Sequence, residues 1–176
     1  MKYKKFRIFS HKTTTTKNLT KKQIMQICKL KNQHWKFGIK SQFDWFVKNS
    51  HPEDIHYQVL FKNNLIGYLH LGLRNLEYLN KTSVQYVLFR NLIVSKNFRS
   101  YGIGFNIMKF ANNFIEKKNK IGFLICKKKL IKFYSNYNWK LYKKVNFKLL
   151  DHSHNYMKFM FYNFKYLKKF KIKYKY

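Results

Sequence analysis

The segment Val87–Gly104, VLFRNLIVSKNFRSYGIG, constrains the fold of this chain more than any other part of it. An almost wholly apolar run, interrupted only by Arg90 and Asn91, passes into a turn in which Arg99, Gly102 and Gly104 are spaced R-x-x-G-x-G. A strand apolar on both faces belongs in the middle of a sheet. Glycine lets the backbone turn tightly and lets an anion reach the amides, and Ile107, Met108, Ala111 and Ile115 then follow at helical spacing. Strand, glycine turn and helix N-terminus together make an anion site. The pattern predicts a strand over 86–94, a phosphate cradle over Arg99–Gly104 and a helix reaching about Lys118.

The rest of the chain has enough apolar surface to fold around such a strand. With 176 residues, 45% apolar and 20% aromatic, it is long and greasy enough for an ordinary core, and disorder is excluded. We expect one domain over residues 1–176, with a basic aromatic tail from about 165. Lysine and arginine total 38 against six acids, a formal charge of +32. Such a surface attracts polyanions, so nucleic acid, ribosomes, anionic membranes and phosphorylated metabolites all stay open as partners. Codon bias toward Lys, Asn, Ile, Phe and Tyr gives the same composition without selection for binding. Cys28 and Cys126 fall in apolar elements and read as reduced, buried side chains, which suits the cytoplasm. The basic N-terminus has no sustained apolar stretch, and no run has the roughly 18 apolar residues of a membrane span.

Periodicity places the other elements. Tyr3–Phe9 alternates as an edge strand, and HKTTTTKN reads as the loop after it. Thr20 and Gln23 form a T-x-x-Q capping box for a helix over Lys21–Asn32, with Ile24, Ile27 and Cys28 on one face. Gly38 breaks that helix, and Gln42–Lys48 forms a second one. Tyr57–Phe61 and Leu65–Leu73 are a hairpin turning at Asn63-Asn64, and 75–83 is a polar connection. Ile121–Cys126 is a strand, Lys129–Tyr137 a helix ended by Asn138 in the left-handed region, and Leu141–Phe147 and Tyr156–Phe164 are the last strands.

This order, with R-x-x-G-x-G after a central strand and Phe133-Tyr134 about thirty residues later, resembles the GNAT superfamily of acetyl-CoA-dependent N-acetyltransferases. The resemblance is firmest over Tyr86–Phe147. It implies an α/β (α+β) fold: a mixed, mostly antiparallel twisted sheet flanked by helices and splayed at the central strand. It also implies acetyl-CoA, its pyrophosphate on the turn Arg99-Ser100-Tyr101-Gly102-Ile103-Gly104 and its acetyl group beside Leu92, Ile93 and Val94. The segment FYSNYNW over 133–139 is similar to the family's L-Y-x-x-x-G-F. That match makes Tyr134 the general acid for the departing thiolate. Asn138 and Trp139 replace the glycine and phenylalanine, and Lys127 stands where the family often has a cofactor-binding asparagine.

The acceptor half is less determined. No residue identifies itself as the base: Glu77 is the first candidate, with Asp54 and His56 beside it, and a water relay or a free amine serves equally. Trp35, Trp45 and His56, with Phe43 and Phe46, are candidates for an acceptor wall, and the tryptophans and phenylalanines serve equally as core. His152 and His154 in DHSHN read as a loop, since no third fixed ligand is near. The expected reaction is acetyl transfer to a primary amine of a small molecule, an amino sugar or sugar nucleotide in preference, by a monomer or homodimer needing no metal. Alternatives are a ribosomal-protein or other protein N-acetyltransferase, or a basic RNA- or ribosome-binding protein without catalysis.

Overall fold

A computed structural model describes residues 9–77, 83–142, 147–149, 157–163 and 170–172. Two compact units divide the chain, Met1–His70 with Asn91–Ile107, and Leu71–Arg90 with Met108–Tyr176.

In the first unit, strand β1 (Ser10–Thr15) pairs antiparallel with β2 (Ile55–Phe61), from Ser10↔Leu60 to Thr15↔Ile55, and β2 neighbours β3 (Asn64–Glu77). The polar run expected as a loop is therefore largely a strand. Threonine is β-branched and suits extended backbone, and an edge strand with exposed side chains needs no apolar alternation. The strand expected over Tyr3–Phe9 lies almost entirely outside the described residues. The β2–β3 hairpin turns at Lys62 (φ 48°) and Asn63 (φ 62°), one residue earlier than expected, and Asn64 opens β3. Two consecutive left-handed residues are what a two-residue hairpin turn requires.

Helix α1 (Lys21–Asn32) begins at the capping box that the sequence predicts: Gln23 N donates to Thr20 Oγ1 at 3.3 Å and Thr20 N to Gln23 Oε1 at 2.9 Å. Helix α2 (Ile39–Asn49) starts three residues before the predicted Gln42. Gly38, at φ 85°, turns the chain directly into it, and Asn32 Oδ1 accepts from Gly38 N at 2.9 Å. The buried residues Ile27, Cys28, Leu30 and Phe46 of the two helices share one cluster with Tyr68 of β3 and with Ile93.

The second unit takes up residues 71–77 of β3 and 83–90 of β4 (Ser83–Val94), so the polar connection is shorter than expected and 78–82 lie outside the described residues. Helix α3 (Ile103–Lys117) leads to β5 (Ile121–Lys127), which pairs parallel with β4 at Tyr86↔Ile121 and Leu88↔Phe123. After α4 (Ile131–Ser135) come β6 (Lys140–Tyr142), β7 (Phe147–Leu149), β8 (Met157–Tyr162) and β9 (Phe170–Ile172). β8 lies antiparallel to both β5 and β6, while β7 and β9 pair with each other in parallel. The basic tail thus contributes a short strand at 170–172, and its other residues lie outside the description. Tyr86, Phe123, Phe159 and Phe161 fill this unit's interior. The fold is mixed α+β, with a mostly antiparallel sheet, as the sequence predicts.

Candidate functional site

The glycine turn lies in the first unit. β4 carries a left-handed residue near its end, Asn91 at φ 57°, which no sequence pattern announced beyond the presence of asparagine, the side chain that best tolerates it after glycine. Ser95 N then donates to Ile66 O of β3 at 2.8 Å, and a short 3₁₀ turn over Lys96–Phe98 carries the chain off the strand. Ser100 (φ 67°) and Gly102 (φ 75°) reverse it, and the helical ladder starts with Asn106 N donating to Gly102 O at 3.1 Å. By helix geometry the first amides of α3, those of Ile103 and Gly104, have no intrahelical acceptor, so the head of α3 offers donors to an anion.

What holds this turn in place is close packing. A Cβ on Gly67 of β3 would lie 2.9 Å from Ile103 Cγ2 and 3.1 Å from Val59 Cβ, so the first residue of α3 sits directly on the sheet and Ile103 is buried. Phe9, Phe61, Phe98 and Tyr101 pack edge-on or tilted beside it with centroids 5.4–6.5 Å apart. The outer rim is open. Arg99, Ser100, Tyr101 and Gly102 are exposed, and a Cβ on Gly102 would meet nothing within 4 Å. This is a bare, positively charged cradle backed by a fixed helix end, and the residues present fit a pyrophosphate.

Tyr134 lies in the second unit, on α4. It is buried, edge-on to Phe89 at 5.8 Å and 89°, with Phe133 and Trp139 beside it. Burial, with a smaller contribution from Cys126, pushes its phenol well above the ordinary tyrosine range, so it stays protonated at neutral pH. Burial likewise pushes the Cys126 thiol up to about 11. Asn138 adopts φ 65° as predicted, and the turn it makes delivers Trp139 into the interior. There Trp139 Nε1 donates to Asn112 Oδ1 at 2.9 Å, while Asn112 Nδ2 donates to Tyr137 O at 3.0 Å. Asparagine at 138 and tryptophan at 139 therefore meet the need for a left-handed corner and a buried aromatic. Lys127, at the end of β5, is exposed.

The other sequence candidates fall in several places. Leu92 and Val94 are half-buried and Ile93 is buried. Trp35 and Phe43 are half-buried against the α1–α2 cluster and Phe46 lies within it, so these rings serve the core. Lys31 Nζ sits 3.9 Å from the centre of the Trp45 ring. His56 is enclosed in the core, not exposed on a groove wall: Tyr68 Oη lies 2.7 Å from its Nδ1 and Thr16 Oγ1 2.7 Å from its Nε2. Asp54 is also buried, with Oδ2 2.8 Å from His70 Nε2, and His70 stacks on His56 at 4.7 Å. The sequence offers Asp54 and His56 as base candidates and His56 as part of an acceptor wall, and both side chains are instead buried. Alternation along β2 and β3 puts His56, Tyr68 and His70 inward, where imidazole and phenol satisfy one another. The backbone of Glu77 ends β3 opposite Lys171. His152 and His154 lie outside the described residues.

No protein-family model matches the sequence, and no curated protein sequence matches it. Solved structures do match. An acyl-CoA N-acyltransferase from Pseudomonas aeruginosa aligns at a TM-score of 0.66 with 16% identity, over 88% of this chain and 99% of that one. Escherichia coli ElaA aligns at 0.63 with 13% identity, over 88% and 99%. The Bacillus subtilis N-acetyltransferase YlbP, in complex with coenzyme A, aligns at 0.56 with 16% identity, over 88% and 96%. The chain has the GNAT fold. At these identities the likeness establishes architecture, and the chemistry must be argued from this chain's own residues. Among the described residues no helix is long and apolar enough to cross a membrane.

Proposed function

We propose that this protein is an acetyl-CoA-dependent N-acetyltransferase acting on a primary amine of a small molecule, an amino sugar or sugar nucleotide in preference. The carrying observation is the open, left-handed turn Arg99–Gly104 at the head of α3 in a GNAT fold, which fits the pyrophosphate of coenzyme A. Bound acetyl-CoA supplies an activated acetyl thioester. Backbone amides at Leu92–Val94 polarise the acetyl carbonyl, and the Tyr134 hydroxyl holds the proton that a departing thiolate needs. The amine attacks as the free base, forming the C–N bond as the C–S bond breaks and releasing its own proton to water or to a carboxylate such as Glu77.

The charge balance supports an acceptor that carries its own negative charge. The described acids are engaged: Glu53 with Lys17 at 2.7 Å, Asp44 with Lys40 at 3.1 Å, buried Asp54 with His70, and Glu116 with the Tyr162 hydroxyl. A surface at +32 repels a polyamine and favours a phosphorylated amine. The test is release of free thiol from acetyl-CoA across a panel of amines. Phosphorylated amino sugars are expected to exceed spermidine in kcat/KM. Faster turnover of spermidine overturns the acceptor assignment, and no release with any amine, peptides included, overturns the enzyme.

A further inference from the structure

We propose that the segment Lys127–Lys132 is a docking surface for single-stranded nucleic acid, bound chiefly through its phosphates. The sequence there is K-K-K-L-I-K, and the fold displays it: Lys127 ends β5, Lys128 and Lys129 occupy a 3₁₀ turn and Lys132 lies on α4, all four exposed. The register Cys126↔Lys158 sets a further, half-exposed lysine on the adjoining strand β8. Glu116 is the acid of this unit whose side chain is described, and it is bonded to the Tyr162 hydroxyl, outside the lysine segment. The four ammonium groups of the segment, with no carboxylate of the described residues among them, repel one another, and a chain of phosphates relieves that repulsion while releasing condensed counterions.

Two further features favour a nucleic acid over an anionic membrane. Leu130 is the one exposed apolar side chain of the segment, and α4 spans only Ile131–Ser135, too short to lay an apolar face into a bilayer surface. The half-buried rings of Phe133 and Tyr137, 5.3 Å apart, lie next to the lysines and offer the stacking partners that unpaired bases take. Lys127 is also a candidate contact for acetyl-CoA, so the variants below leave it in place and binding is read apart from turnover.

The experiment is fluorescence anisotropy of the full chain with a labelled oligouridylate, titrated at several salt concentrations. A triple variant, Lys128→Gln with Lys129→Gln and Lys132→Gln, is compared with a second triple on α1, Lys21→Gln with Lys22→Gln and Lys29→Gln, which removes the same charge elsewhere. Wild type is expected to bind with a steep salt dependence. Each lost phosphate contact flattens the slope of log K against log salt by about 0.7, so the first triple should lose about 2 in slope and the second nearly nothing. Equal losses in both triples would make affinity a matter of net charge and overturn the surface. So would tighter binding to phosphatidylserine vesicles than to oligouridylate, or complete displacement by saturating acetyl-CoA. Matched circular dichroism melts of the two triples keep a folding defect from passing as lost binding.

Discussion

Two left-handed corners, at Gly102 and at Asn138, are built alike and lead into different structures. At the first, the chain emerges from β4, turns through Ser100 and Gly102 and leaves an exposed rim with open space where a side chain would be. At the second, α4 ends at Asn138 and the next residue, Trp139, is driven into the interior, under Gly122 and bonded to Asn112. A left-handed residue therefore says only that the chain turns. Both corners are followed by a buried side chain, Ile103 and Trp139; the first leads into the long helix α3 and the second into the short strand β6.

The largest expected effect breaks the packed corner. Trp139→Ala should cost about 3–5 kcal/mol in denaturant unfolding, since it deletes a fully buried indole and strands the Asn112 amide. A loss under 1 kcal/mol would mean that this corner is not structural. Next comes Tyr134→Phe, which keeps the ring against Phe89 and removes the hydroxyl proposed as proton donor. Turnover should fall by about 10²–10⁴ with the melting temperature nearly unchanged, and unchanged turnover would remove the tyrosine from the mechanism.

The dry side of the comparison also predicts alkaline behaviour. Tyr86 is buried, its hydroxyl has no partner among the described residues, and burial pushes it from 10.0 to about 12. Because the folded value is raised, stability is fully present below pH 10, where both states keep the proton. Above pH 10 the unfolded chain ionises first and stability is lost by about 1.4 kcal/mol per pH unit toward pH 12. Tyr86→Phe should make that decline shallower, with the burial of Tyr134 leaving some of it; an unaltered slope between pH 10 and 12 counts against the assignment. At the exposed corner, Gly102→Ala should cost about 1–2 kcal/mol of backbone strain and no steric clash, and acetyl-CoA affinity should fall with it. Equilibrium unfolding alongside calorimetric titration separates the two. Smallest of all, Asn138→Gly should stabilise by a few tenths of a kcal/mol, because glycine adopts the same corner without strain.

Legibility in the sequence followed how local each cause is. The α1 capping box, the stripe of α3, the glycine turn and the Asn138 corner are set by residues a few positions apart, and each stands where its pattern put it. The threonine strand β1 was missed because an edge strand held by its partner's hydrogen bonds needs no hydrophobic signature of its own. The buried His56–His70–Asp54 group was missed for a related reason. Alternation says which way a side chain points only after the hairpin register is fixed, and polar residues facing inward reveal their partners only in three dimensions. The Phe9–Phe61–Phe98–Tyr101 cluster that backs the turn joins residues far apart in the chain, and no spacing rule finds it.

Gly67 and Ile103 are separated by less than the room a methyl group requires. That makes them one unit of inheritance. A lineage that gained a side chain at position 67 would have to trim position 103 in the same stroke or tilt the head of α3 away from its strand. In an alignment of descendants, bulk at one position should appear only with loss at the other, and the pair would mark the head of α3 even where the glycines of the turn had been replaced.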